Sequence, residues 1–133
     1  MPEDSDQIAK VIFISKDNKT LLLLRGMNGK NPFTLDIAGG HALEGEAMVD
    51  GAIREVKEET NLIVKAEDLT ELTKIGRTTY YKTTSWEGTI FDHKELSEHE
   101  LSVWVKLDSI KFLEGVIIPQ KHYDVLLGLT TQK

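Results

Sequence analysis

Cysteine is absent from the chain, which removes disulfide frameworks, Cys-based zinc sites, CxxC redox chemistry and thiol nucleophiles. Long apolar runs are missing too. The longest purely aliphatic stretch is Leu21 to Leu24, against the ~20 residues a membrane helix needs. Positive charge is scarce: 16 Lys and Arg face 22 Asp and Glu, a net charge of −6. That balance argues against a duplex nucleic-acid binder and against a protein held on anionic membranes by charge. The start, Met1 to Asp6, is acidic where a secretory signal is basic and then apolar. With the lack of cysteine, it sets the cytoplasm as the expected location.

Hydrophobic residues at 40% and charged residues at 29% are globular values. A chain of 133 residues suits one domain, read as 1–133 with residues 1–7 as a flexible N-terminus. Residues 8–15 form an apolar, β-branched run that reads as a buried strand. Asp17-Asn18-Lys19 supplies a turn, and Thr20 to Arg25 reads as a second strand, expected to pair with the first as a hairpin. Phe33 to Ala38 is a short strand candidate running into Gly39-Gly40. Val49, Ala52, Ile53, Val56 and Thr60 then recur at helical spacing, predicting an amphipathic helix over 46–60 with Asn61 as its C-cap. Strand character returns over 72–82, 87–91 and 101–107, and a second helix over 119–127 is expected to end at Gly128. This order predicts an α+β fold with a mixed sheet and helices packed against it.

The helix over 46–60 carries one unusual feature. Glu55, Glu58 and Glu59 share an arc of about 100°, and Lys57 and Arg54 are expected to project away from it. Glu55 and Glu59 form a like-charge i,i+4 pair, which costs a helix ~0.2–0.5 kcal/mol. One reading is a solvated acidic face. The other joins these carboxylates to the bare backbone of Gly39-Gly40 as hard oxygen ligands, which suit Mg²⁺ with Mn²⁺ as the alternative. Such sites serve phosphate chemistry.

Gly40, five residues, Glu46, seven residues, then Arg54-Glu55-Val56-Lys57-Glu58-Glu59-Thr60-Asn61-Leu62 resembles the Nudix box. Asn61 stands where that pattern has Gly, and Asn is the side chain that best tolerates positive φ. The resemblance implies an α/β/α sandwich with a mixed β-sheet and a loop–helix–loop catalytic motif. It also implies Mg²⁺-dependent hydrolysis of a nucleoside diphosphate linked to another group. The expected substrate is a nucleoside triphosphate or a conjugate such as ADP-ribose or a dinucleoside polyphosphate. Carried over, Glu55, Glu58 and Glu59 are metal ligands, the Gly40 carbonyl completes the site, and one of the carboxylates helps deprotonate water. Arg54 orients a Glu, with Glu46 as its partner; Gly39, Glu46 and Asn61 are structural. Expected partners are a small nucleotide only, with no duplex nucleic acid and no membrane, for a monomer or homodimer.

Some enzymes of the family take their general base from a distant loop, which makes Glu98 and Glu100 candidates; an acidic surface turn is the alternative. His41 and Arg25 are candidate phosphate contacts, each with an ordinary surface role as the alternative. Tyr80 falls in the window after the box where members acting on dinucleoside polyphosphates often carry Tyr, although aromatics in strands more often belong to the core. Ala38 replaces the Pro that often precedes the paired glycines, and Gly51 costs its helix ~1 kcal/mol relative to Ala. Intact box carboxylates favour catalysis over the other reading, a non-catalytic nucleotide-binding module with the same fold.

Overall fold

The apolar run around Val11 can be buried on both faces only if both of its edges find partners. In the computed structural model, which describes residues 3–25, 34–90, 99–113 and 118–130, this run lies within strand β1 (Asp4–Phe13). Strand β4 (Gly39–Leu43) pairs with it antiparallel on one edge, and β6 (Thr78–Thr83) pairs parallel on the other. Strand β5 (Thr70–Ile75) adds antiparallel to β6, giving a mixed sheet in the order β4-β1-β6-β5. Ala9, Val11, Ile12 and Phe13 are fully buried.

The hairpin expected from the first two strands does not form. Asn18 makes the turn at φ 61 and the Ser15 N–H reaches the Lys19 carbonyl at 2.8 Å, but both edges of β1 are already taken. Strand β2 (Lys19–Arg25) instead pairs with β3 (Leu35–Asp36) and β7 (His99–Lys106), making an antiparallel sheet ordered β3-β2-β7. The chain accordingly packs as two units. One draws on Met1–Ile14 and Ala38–Phe91, the other on Ser15–Ile37 and Asp92–Lys133. Each sheet belongs to one unit.

Helix α1 (Met48–Thr60) packs on β4 and β1 in the first unit, burying Gly51, Ala52, Val56 and Thr60. Gly51, a liability by propensity, is explained by packing: a Cβ there would lie 3.1 Å from the Ala42 Cβ and 3.1 Å from Glu46 Oε1. Asn61 closes the helix at φ 70, its N–H bonded to the Lys57 carbonyl at 2.9 Å. In the second unit, helix α2 (Gln120–Thr130) buries His122, Tyr123, Leu126 and Leu129 and packs on a 3₁₀ helix over Leu107–Leu113. The fold class is mixed α+β, as expected.

Several boundaries differ from expectation. Strand β1 opens at Asp4 because residues 4–7, expected as a flexible terminus, run alongside β4; Ser5 Oγ donates to the Ala42 carbonyl at 2.9 Å. Gly39 and Gly40 begin β4 rather than end β3. The strand expected over 72–82 is a hairpin, broken at Gly76, whose φ of +58 suits the first loop position of a two-residue turn. Of the strand expected over 87–91, the described part holds one bridge, Glu87 with Ile63, because Gly88 turns the chain at φ +95. Helix α2 runs through Gly128 to Thr130, since the apolar contact of Leu129 rewards another turn; Leu127, expected inward, is only half-buried.

Candidate active site

Helix α1 and the first residues of β4 build the site: glycine at 40 lets α1 approach β4, and glycine at 39 lets β4 lie against β1. A Cβ on Gly40 would lie 2.6 Å from Glu55 Oε2. Gly39 adopts φ +136, where any side chain would collide with the Ala9 carbonyl. The two carboxylates one helical turn apart therefore lie against bare backbone: Glu55 over Gly40, and Glu59 with Oε1 accepting the Gly39 N–H at 2.7 Å.

Arg54 organises the acidic side. Its Nε and Nη2 fork onto Glu46, at 3.1 Å to Oε2 and 3.1 Å to Oε1. Nη2 also donates to the His41 carbonyl at 3.0 Å, and Glu46 Oε1 accepts the Leu43 N–H at 2.9 Å. The expected Arg54–Glu46 pairing is therefore present and ties the middle of α1 and the segment before it to β4. The expectation that Arg54 projects away from the acidic arc is corrected: Nη1 reaches Glu55 Oε1 at 3.0 Å and Glu58 at 3.3 Å. The long guanidinium stem lets one residue serve both faces. Glu58 is exposed.

These environments separate the carboxylates electrostatically. The Arg54 hydrogen bond holds Glu46 below the usual carboxylate range, outweighing its burial. Burial pushes Glu55 up, with Arg54 opposing and Glu58 and Asp4 adding to the rise. A desolvated carboxylate of raised proton affinity is suited to accept a proton. The donor chemistry of Glu55, Glu58, Glu59 and glycine carbonyls fits a hard divalent cation. In this arrangement the carboxylates turn to Arg54 and the Gly39 N–H, and no three acidic or histidine side chains among the described residues converge as a ready cage.

The other expected residues are placed as follows. His41 Nδ1–H donates to the Ser5 carbonyl at 2.9 Å, beside the Arg54 contact. Asn61 donates from Nδ2 to the Thr89 carbonyl at 3.0 Å, a link glycine could not make. Tyr80 is corrected: it is fully buried, because β6 lies inside its sheet, and has no surface to offer a base. Arg25, in the other unit, pairs with Asp36 at 2.5 Å. Glu100 lies on β7, a strand rather than a loop, and Glu98 lies outside the described residues.

Two buried charged groups escaped the sequence reading. Asp36 accepts from Arg25, from the Ile37 N–H at 2.8 Å and from His122 Nε2 at 3.0 Å. Nothing in the local sequence announces that convergence. Lys10 did leave a signal, as the one charged residue within the apolar run 8–15.

A family model described as NUDIX domain matches residues 6–125. Among solved structures, a MutT protein from Methanosarcina mazei Go1 superposes with a TM-score of 0.71 at 22% identity, covering 99% of this chain and 97% of its own. A MutT protein from Bacillus halodurans gives 0.72 at 20% identity, covering 94% and 82%. A MutT NUDIX hydrolase from Burkholderia pseudomallei gives 0.68 at 18%, covering 90% and 96%. At these identities the likeness is one of fold. None of the curated proteins matches the chain.

Proposed function

The chain belongs to the NUDIX domain family and is a hydrolase of pyrophosphate bonds; on that premise we propose that it cleaves the diphosphate of a small nucleotide with Mg²⁺. The substrate is a nucleoside triphosphate or a nucleotide diphosphate conjugate such as ADP-ribose or a dinucleoside polyphosphate. The observation that carries this reading is the seating of Glu55 and Glu59 on Gly40 and Gly39 while Arg54 grips Glu46. Glu55, Glu58, Glu59 and the Gly40 carbonyl are the groups that would hold the cation, with Mn²⁺ able to replace Mg²⁺. When bound, the cation supplies positive charge against the diphosphate and acidifies water. A chain of net charge −6 needs that charge to accept a polyanion.

The remaining work falls to side chains. As the water oxygen bonds to phosphorus and the bridging oxygen departs with its electron pair, one of the box carboxylates takes the proton. Arg54 holds Glu55 and Glu46 in place rather than touching substrate. Glu98 and Glu100 are the competing proton acceptors. Residues 1–133 act as one domain in this reading, since the family match runs through both units, and a cytoplasmic location goes with it.

The test is hydrolysis of canonical and oxidised triphosphates, ADP-ribose, nucleotide sugars and diadenosine polyphosphates, with products resolved by chromatography. We expect turnover that chelation abolishes and added Mg²⁺ restores. Glu59→Gln keeps the volume and removes a charged ligand, so turnover should fall by about 10³-fold or more with the fold intact. Full activity in that variant would displace the site. Tight nucleotide binding with no turnover across the panel would favour the non-catalytic module.

A further inference from the structure

Lys10 is buried in the middle of β1, 7% exposed between the fully buried Ala9 and Val11. Burying an ammonium is costly unless oxygens meet it. Across the β1–β4 ladder Lys10 is in register with Gly39, and its Nζ donates to the Gly39 carbonyl at 3.4 Å. Gly39 is a residue that needs holding. Its φ of +136 is one that only glycine adopts readily, so its own torsions restrain it weakly. Two peptide groups flank its Cα. The N–H of the first donates to Glu59 Oε1 at 2.7 Å, and the carbonyl of the second receives Lys10. Beyond that second peptide stands Gly40, against which Glu55 is seated.

We propose that Lys10 is a positioning residue of this site: from the sheet side it holds the Gly39–Gly40 peptide, and so keeps Glu59 and Glu55 in place. Its consequence for turnover rests on the function proposed above, but its structural content does not.

Amide hydrogen exchange by NMR on the full chain without metal tests that content. In Lys10→Met, which fills the same space without the donor, the Gly39 amide should exchange about tenfold faster. The Val11 amide, bonded to the Ala38 carbonyl at 2.8 Å, should keep its protection. Lys10→Arg, which retains a cation, should restore part of the Gly39 protection. With the preferred nucleotide, Lys10→Met should lower kcat about tenfold and leave KM nearly unchanged. Equal loss of protection at Val11 and Gly39 would mean a general structural role and overturn the proposal. Unchanged protection at Gly39 would overturn it as well.

If Lys10→Met fails to fold, lysine-selective ¹⁵N NMR of the unmodified chain decides. A slowly exchanging ammonium coupled to the Gly39 carbonyl carbon supports the assignment; a Lys10 ammonium in fast exchange with water refutes it. A chain that hydrolyses no nucleotide yet shows these Gly39 effects would refute the proposed function and leave the Lys10 role standing.

Discussion

Glu55 has almost no space to spare above Gly40, and that makes residue 40 a lever on a single carboxylate. In Gly40→Ala the new Cβ would meet Glu55 Oε2 at 2.6 Å, and the far end of a flexible side chain is what gives way. The fold should survive while Glu55 moves off its seat. We expect a change in melting temperature of only a few degrees and a loss of turnover of about 10²-fold, the scale set by a 1 Å misplacement. Asn61 supports a different prediction. Its φ of 70 penalises a Cβ, and its Nδ2 bond to Thr89 offsets part of that cost. Asn61→Ala keeps the strain and loses the bond, so urea unfolding should show a loss of about 1–2 kcal/mol. Asn61→Gly sheds both and should lie closer to the unmodified chain. An equal effect of the two substitutions would show that left-handed strain is not what the position senses.

Elements are joined in this chain by a few buried charges. Strands β2 and β3 and helix α2 meet at Asp36, which is 1% exposed and bound by Arg25, His122 and the Ile37 amide. Asp36→Asn removes the charge that Arg25 and His122 share as an acceptor and leaves Arg25 facing a neutral amide. Breaking a buried pair from one side costs about 3–5 kcal/mol, so we expect the melting temperature to fall by several degrees or more. Turnover per folded molecule is the second readout. A drop in turnover with unchanged stability would move Asp36 and Arg25 from a structural role to a substrate role.

Over the whole molecule, stability follows pH through carboxylates whose proton affinities folding has moved apart. Glu46 is held low by Arg54, so it stabilises the fold above its ordinary value of 4.5, and that contribution is lost as pH falls through its folded value. Glu55 has the opposite sign: its contribution is present below 4.5 and is lost as pH rises through its raised value. Glu46→Gln should therefore narrow the gap in unfolding free energy between pH 7 and pH 3, measured with urea. An unchanged gap would mean the Arg54 fork does not set the acid limb.

The local pattern of residues was enough for the box. The period of Ala52, Val56 and Thr60 marked the helix, Asn61 marked its end, and the spacing from Gly40 to Glu59 marked the chemistry. Each depends on neighbours within a turn or two, so one sequence contains the cause. The pairing of strands did not follow in that way. The edges of β1 went to β4 and β6 rather than to β2, because an apolar run states that it will be buried but not by which partner. Tyr80 vanished into the core, and Lys10, Asp36 and His122 acquired roles, through contacts distant in sequence. Such contacts come into being only when loops close and charges share a dry interior, where each buried group must find whatever oxygen or cation the fold sets beside it.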